Sequence, residues 1–274
     1  MSNLEVLIAT MNQSDFSLVK KMNIHSDAVF ANQADRNELC VLEQDGYHFC
    51  MQTTDTRGVG LNRNIALCRA RKEILLLADD DITYSDDYVE QVLKAFDEIP
   101  DADVIIFRMQ FTKNNVVYET NCFNTHRLHQ WSRLGFGTYQ IAIRRKSILR
   151  TNIHFTHLFG GGAIYGSGED SLFLLDCLRS GLHVYTHKYL LGSNRKDESS
   201  WFEGYTEKFF YDKGAYLSLA QPILKYVYLC RFIFGIKNKC SLSTRTKYCA
   251  MRSGMRGYGS LRTYNQWVNS NRSR

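Results

Sequence analysis

At 274 residues, 44% hydrophobic and 23% charged, with two prolines and no low-complexity stretch, the chain fits one large globular domain, alone or with an appendage. Its eight cysteines form no C-x-x-C pair and no zinc-like spacing, so they are expected to be small buried hydrophobes in a reducing cytosol. The net charge of +6 is uneven: nine basic and no acidic residues lie from Lys237 to Arg274, leaving 25 basic against 28 acidic before them, a net of −3.

Met1 to Ile8 has no basic n-region, and its apolar run is too short for a signal sequence. No segment reaches the roughly 18–20 uncharged apolar residues of a membrane span. A first strand is predicted over residues 5–10, a helix from Ser14 to Met22, and a second strand over 27–32 ending in Asn32 and Gln33. Strands near 39–42 and 48–52 follow, then a helix over about 61–71. Ahead of that helix stands Arg57-Gly58-Val59-Gly60-Leu61-Asn62-Arg63-Asn64. Its glycines permit close backbone approach, its helix N-terminus favours anions, and Arg57 and Arg63 have the reach to hold a diphosphate; an ordinary glycine turn explains the glycines almost as well.

The apolar run Ile74-Leu75-Leu76-Leu77-Ala78 reads as a buried strand and ends in Asp79-Asp80-Asp81. Three adjacent carboxylates repel unless a cation neutralises them, and hard oxygen ligands suit Mg2+ or Mn2+, with coordination places left for phosphate oxygens. The same triplet also suits the start of a helix, and one is predicted over about 86–98, with a strand over 103–107. Strands alternating with helices imply crossovers and a mostly parallel sheet covered on both faces, with ligands at the carboxyl ends of the strands. Thr10, Asn32 and the three aspartates converge there.

Further on, Gly160-Gly161-Gly162-Ala163-Ile164-Tyr165-Gly166-Ser167-Gly168-Glu169-Asp170 leads into a helix over about 171–180. Flexible glycines before paired carboxylates suit a loop that delivers a base to a substrate hydroxyl; a capping box, with Ser167 as N-cap and Asp170 at the third helical position, explains the same residues. His183 and His187 follow; His187 is the candidate to complete a metal shell, although a lone histidine is more often a packed or hydrogen-bonded residue. Trp201 and Phe202, in a polar stretch, offer a platform for the apolar face of an acceptor sugar or a satellite packing cluster. From Pro222 to Gly235 the chain is apolar and aromatic, and with the basic end after it suits an anionic membrane surface; a core helix followed by a solvated basic end is the other reading. No nucleic-acid reader motif accompanies these charges.

The pieces Leu7-Ile8-Ala9-Thr10-Met11-Asn12-Gln13, Asn32-Gln33, Arg57-Gly58 with Arg63-Asn64, Ala78-Asp79-Asp80-Asp81-Ile82, Gly168-Glu169-Asp170 and Ser200-Trp201-Phe202 stand in an order and spacing that resemble glycosyltransferase family 2, the inverting GT-A enzymes, particularly the bacterial capsule and lipopolysaccharide members. The resemblance implies a Rossmann-like GT-A domain over 1–215, with a nucleotide-sugar half over 1–110 and an acceptor and catalytic half over 111–215. A helical, basic membrane-surface segment over 216–274 completes the expected division. It implies a nucleotide-diphosphate sugar donor, a UDP-sugar foremost, and Mn2+ or Mg2+. In this resemblance Thr10, Asn12, Asn32, Gln33, Asp35, Arg57, Arg63 and Asn64 line the nucleotide-sugar site, with Thr10, Asn32 and Asp35 near base and ribose; Asp79 or Asp80 faces the ribose, Asp81 with Asp79 binds the metal, and Asp170 of the Glu169-Asp170 pair is the general base. Many relatives end the second strand in an aspartate where Asn32 and Gln33 stand here, which leaves the donor base and the part of Asp35 open. The expected protein is cytoplasmic, on the inner face of the membrane, adding a sugar to a lipid-linked glycan of capsule or O-antigen. A nucleotidyltransferase acting on sugar phosphates and a non-catalytic membrane-surface module are the alternatives; an aspartate-nucleophile phosphatase lacks its carboxylate on the first strand.

Overall fold

Alternation of apolar side chains along the strands builds a sheet covered on both faces. In a computed structural model, which describes residues 2–113, 116–119, 124–194, 204–236 and 240–272, β1 (Leu4–Met11) turns Leu4, Val6 and Ile8 to one face and Leu7 to the other. β2 (Asp27–Gln33) divides Ala28 and Phe30 from Val29 and Ala31 in the same way, and β5 (Ile74–Asp79) divides Leu76 and Ala78 from Leu75 and Leu77. The first face is covered by α1 (Leu18–Lys21) and α3 (Tyr88–Glu98) through Leu18, Met22, Val92 and Phe96. The second is covered by α2 (Val59–Arg69), α4 (Arg145–Thr151) and α5 (Glu169–Arg179) through Ala66, Ile148, Phe173 and Leu174. Burying a side chain of this size is worth about 1.5–3 kcal/mol.

The remaining strands are β3 (Glu38–Gln44), β4 (Tyr47–Thr54), β6 (Ile82–Tyr84), β7 (Val104–Lys113), β8 (Val116–Glu119), β9 (His126–Arg127), β10 (Ile141–Arg144) and β11 (Val184–Asn194). The sheet order is β3-β4-β2-β1-β5-β10-β7-β11-β6, with β8 on β7 and β9 on β11. β4, β2, β1 and β5 run parallel, as do β7 and β11, while β10 lies antiparallel between β5 and β7. The predicted helix over 14–22 shrinks to the four residues of α1, because the Asp15 carboxylate accepts the Ser17 N–H at 2.9 Å and holds a turn where the first helical residues were expected.

The chain divides into two compact units, Met1–Thr156 with Asp170–Glu198 and His157–Glu169 with Ser199–Arg274. The boundary expected at 215–216 falls inside α6 (Glu207–Ala220). Within the second unit α6, α7 (Lys225–Gly235) and α8 (Thr244–Tyr258) share a core of Phe210, Leu217, Leu229, Ile233, Met251 and Met255, followed by α9 (Tyr264–Arg272). The basic end is therefore partly packed: Lys247 is buried with its ammonium 5.9 Å from the Phe210 ring centroid. Along residues 223–234, Ile223, Val227 and Phe234 are exposed while Leu229 and Ile233 are buried. Of the cysteines among the described residues, Cys50 and Cys177 are buried as expected, whereas Cys68, Cys230 and Cys249 are exposed.

α6 and α8 approach so closely that a Cβ on Gly214 would lie 1.9 Å from the Met251 carbonyl oxygen, and one on Gly254 would lie 1.9 Å from that of Tyr211. Alanine ordinarily favours a helix over glycine by up to about 1 kcal/mol. Here the clash reverses that preference, and Gly254→Ala is expected to destabilise the helical unit by about 1–3 kcal/mol in urea denaturation followed by circular dichroism. A stabilised variant would show that the helices have room to part.

Candidate active site

Parallel register brings the expected residues to one edge. Thr10 lies opposite Asn32 and Met11 opposite Gln33, with Ala9 opposite Asp79 across the other neighbour. The Thr10 hydroxyl donates to Asp80 Oδ2 at 2.7 Å, so the middle aspartate is drawn toward β1. Asp79 Oδ1 accepts from the Arg63 guanidinium at 2.9 Å, and Arg63, buried on α2, also lies over the Phe155 ring at 5.5 Å. Arg63 thus reaches the aspartates themselves, offsetting one of their charges.

Several polar residues read as donor ligands hold the edge together. Asn32 is fully buried: its Nδ2 donates to the Gln13 carbonyl and to Thr53 Oγ1, both at 3.0 Å, and its Oδ1 accepts the Gln13 N–H at 3.0 Å. It pins the loop after β1 and leaves the exposed Asn12, at φ 56°, as the residue presented there. Gln33 donates to the Gly58 carbonyl at 3.1 Å, tying β2 to the start of α2. Asn64 brackets the Phe155 backbone, donating to its carbonyl at 2.9 Å and accepting its N–H at 2.8 Å. Gly60 serves packing, since a Cβ there would lie 2.2 Å from the Thr156 carbonyl oxygen. Arg57 pairs with Asp35 at 2.5 Å on the exposed surface beside these elements.

The two carboxylates at the start of α5 separate by environment. Glu169 is buried and its Oε2 accepts the Gly168 N–H at 3.1 Å, whereas Asp170 is half-exposed. The helix begins at Glu169, so Asp170 is its second residue and Ser167 lies outside the capping position assigned to it. The acceptor candidates Trp201 and Phe202 lie outside the described residues.

Two residues absent from the sequence reading belong to this edge. Asn62, buried on α2, donates to the Ala31 carbonyl at 2.8 Å and the Thr10 carbonyl at 3.2 Å, bridging the ends of β2 and β1. Tyr139 sits in a 3-10 turn over Thr138–Gln140, held by Gln140, which donates to the Phe107 carbonyl at 2.8 Å and accepts the Gly137 N–H at 3.1 Å. Burial first, and then the negative charge of Asp79, Asp81 and Asp170, push the Tyr139 phenol up to about 12. One phenol thus feels the charge of all three carboxylates. Asn62 carried a signal, an amide in the first turn of a helix leaving a glycine turn; Tyr139 carried none, because only the chain reversal into β10 brings it there.

His187 is placed elsewhere. It is buried on β11, its Nε2 is 3.2 Å from Glu98 Oε2, and its ring packs against Phe107 and Tyr189. β10 and β7 stand between β11 and β5 in the sheet, so the metal-shell assignment gives way to a packed pair with Glu98. Among the described residues no group of three or more His, Cys, Asp or Glu forms a cage for an ion.

Parallel β4, β2, β1 and β5, an antiparallel β10 and helices on both faces of the sheet make this a GT-A fold. Residues 34–164, just under half of the chain, match the family model of glycosyl transferase family 2, and the chain is a glycosyltransferase. Among solved structures, Staphylococcus aureus TarS 1–349 in complex with UDP-GlcNAc is similar with a TM-score of 0.56 and 16% identity, covering 94% of this chain and 73% of that one. The same fragment in complex with UDP is similar with a TM-score of 0.54, 16% identity, 94% of this chain and 72% of that one. The longer TarS structure gives a TM-score of 0.52 and 15% identity over 96% of this chain and 44% of its own. No curated protein matches the chain in sequence.

Burial lowers the His187 imidazole below its ordinary value, with Glu98 opposing. The folded state therefore resists protonation more than the unfolded state, and stability falls as pH drops below about 6.5 through the folded value. His187→Phe should flatten the stability curve over that window in urea titrations from about pH 7.5 to 5; an unchanged slope would place the titrating group elsewhere.

Proposed function

We propose that the chain transfers a sugar, with inversion, from a UDP-sugar to a hydroxyl of a lipid-linked glycan in the assembly of a capsule or O-antigen. The observation that carries this reading is the meeting of Thr10, Asn32 and Asp79 at the carboxyl edge of the parallel strands, with Asp80 held by Thr10 and Asp79 by Arg63. The UDP and UDP-GlcNAc bound in the TarS structures support the choice of donor.

Asp81, with Asp79 beside it, offers the hard oxygen donors that suit Mn2+ or Mg2+, and one or two carboxylates are what such an ion needs when a diphosphate supplies other oxygens. When bound, the ion supplies positive charge to the leaving diphosphate. Arg63 holds Asp79 in place, and Thr10 holds Asp80, which faces the ribose. Asn12, at the tip beyond β1, and the Arg57–Asp35 pair flank the nucleotide. Asp170 takes the proton of the acceptor hydroxyl as that oxygen attacks the anomeric carbon, while the bond to the diphosphate breaks on the opposite face. A single displacement of this kind inverts the anomeric configuration and needs no covalent intermediate.

The acceptor's lipid is met by the helical unit. Ile223, Val227 and Phe234 present apolar side chains beside Lys225 and Arg231, and the chain from Lys237 onward adds nine positive charges and no negative ones. Shallow insertion with cations against anionic headgroups suits this composition. Among the described residues no helix is long and apolar enough to cross a membrane. The protein is placed on the inner face of the cytoplasmic membrane in this reading.

Asp170→Asn should lower UDP release from UDP-GlcNAc with Mn2+ by about 10²–10⁴-fold while leaving UDP affinity within twofold. Full turnover in that variant would remove Asp170 from the base's role. Because α8 packs on α6, truncation is a poor test of the membrane surface; Ile223→Ser with Val227→Ser and Phe234→Ser keeps the buried core. The triple variant should no longer sediment with phosphatidylglycerol vesicles, and undiminished sedimentation would contradict the docking face.

A further inference from the structure

We propose that Asp212 on α6 is a positioning residue for the general base, fastening the glycine-rich loop that leads into Asp170. The inference rests on Asp170 being the base. It starts from a carboxylate in an unexpected place: Asp212 is 5% exposed in a helix whose neighbours Phe210, Tyr211 and Ala215 are core residues. A buried carboxylate is costly unless its charge is matched and its oxygens are hydrogen-bonded. Lys208, one turn earlier, supplies the charge at 2.6 Å to Oδ2, and the same oxygen accepts the Gly166 N–H at 3.0 Å. Burial raises the carboxyl above its ordinary range, against the pull of Lys208 and of the Gly166 amide.

The receiving loop is closed rather than flexible. The Gly160 N–H donates to the Tyr165 carbonyl and the Tyr165 N–H to the Leu158 carbonyl, both at 2.9 Å. Phe159 and Tyr165 stack their rings 4.9 Å apart, with Tyr258 6.3 Å from each. Gly166 has no room to spare, since a Cβ would lie 3.2 Å from Asp212 Oδ2 and 3.3 Å from Lys208 Nζ. Gly168 adopts φ 119°, and a Cβ there would lie 2.7 Å from Tyr216 Cδ2, so the Tyr216 ring, one turn beyond Asp212, presses on the last residue before α5. The two residues that follow are Glu169 and Asp170. α6 therefore fixes the backbone at 166 and 168, immediately before the two carboxylates. The glycines serve these close approaches and the left-handed conformation at 168.

A residue that only packed α6 would lower the melting temperature without changing turnover per folded molecule. Asp212→Ala should instead speed amide hydrogen exchange over residues 166–170 and lower kcat for UDP release from UDP-GlcNAc at least tenfold, with UDP affinity unchanged. Asp212→Asn, whose amide oxygen still accepts the Gly166 N–H, should restore kcat to within about threefold of the wild type. Wild-type kcat in Asp212→Ala, or equal loss in Asp212→Asn, overturns the proposal. Asp170→Asn assayed in parallel separates the two ideas. Inactivity there with a fully active Asp212→Ala sinks the tether alone, and full activity there sinks the base assignment whatever Asp212 does.

Discussion

Mutual repulsion among carboxylates at the end of a buried strand is the constraint around which this glycosyltransferase is arranged. β5 is apolar from Ile74 to Ala78 and delivers Asp79, Asp80 and Asp81 in succession. The chain meets two of these charges with its own side chains, Arg63 on Asp79 and Thr10 on Asp80. Arg63 can reach Asp79 because α2 starts close against Thr156, which only glycine at 60 allows. Thr10 can reach Asp80 because β1 and β5 run parallel in a register that brings their carboxyl ends level. The Tyr139 phenol, beside the buried Gln140, stays uncharged in the field of Asp79, Asp81 and Asp170, which with burial pushes it up to about 12.

The same constraint explains the number of buried amides nearby. Side chains that hold ligands need backbone that does not move, and loops after strands leave N–H and C=O groups to satisfy. Asn32, Asn62 and Asn64 each take two backbone partners and close one gap apiece: the loop after β1, the ends of β1 and β2, and the segment at Phe155. They are the scaffold for Asn12 and for the aspartates. In the second unit a carboxylate does similar work at a glycine loop, with Asp212 receiving the Gly166 amide.

Much of the architecture was legible in the sequence because short continuous apolar runs alternating with helical stretches mark strands of a parallel sheet covered on both faces. β1, β2, β5, α2, α3 and α5 fall within a few residues of expectation. Side-chain roles were less legible. A motif asparagine reads the same whether it faces a ligand or a backbone carbonyl, and only the register of β1 and β2 shows that Asn32 is enclosed. His187 reads as either a packed residue or a metal ligand, and sheet order, which sequence does not fix, decides between them by putting two strands between it and β5. Tyr139 and Asp212 were silent for the same reason, since the carboxylates that act on Tyr139 and the Gly166 amide that Asp212 accepts lie tens of residues away. The basic end read as an appendage; close glycine contacts between α6 and α8 show it to be half core.

The central claim is that Asp81 and the nucleotide diphosphate complete one metal site between them. Calorimetric titration of UDP into the full chain, with Mn2+ and again with EDTA, tests it most directly. The account predicts binding at least tenfold tighter with Mn2+, and loss of that increment in Asp81→Asn with the EDTA affinity retained. Equal UDP affinity in Mn2+ and EDTA, or an increment that survives Asp81→Asn, would contradict it.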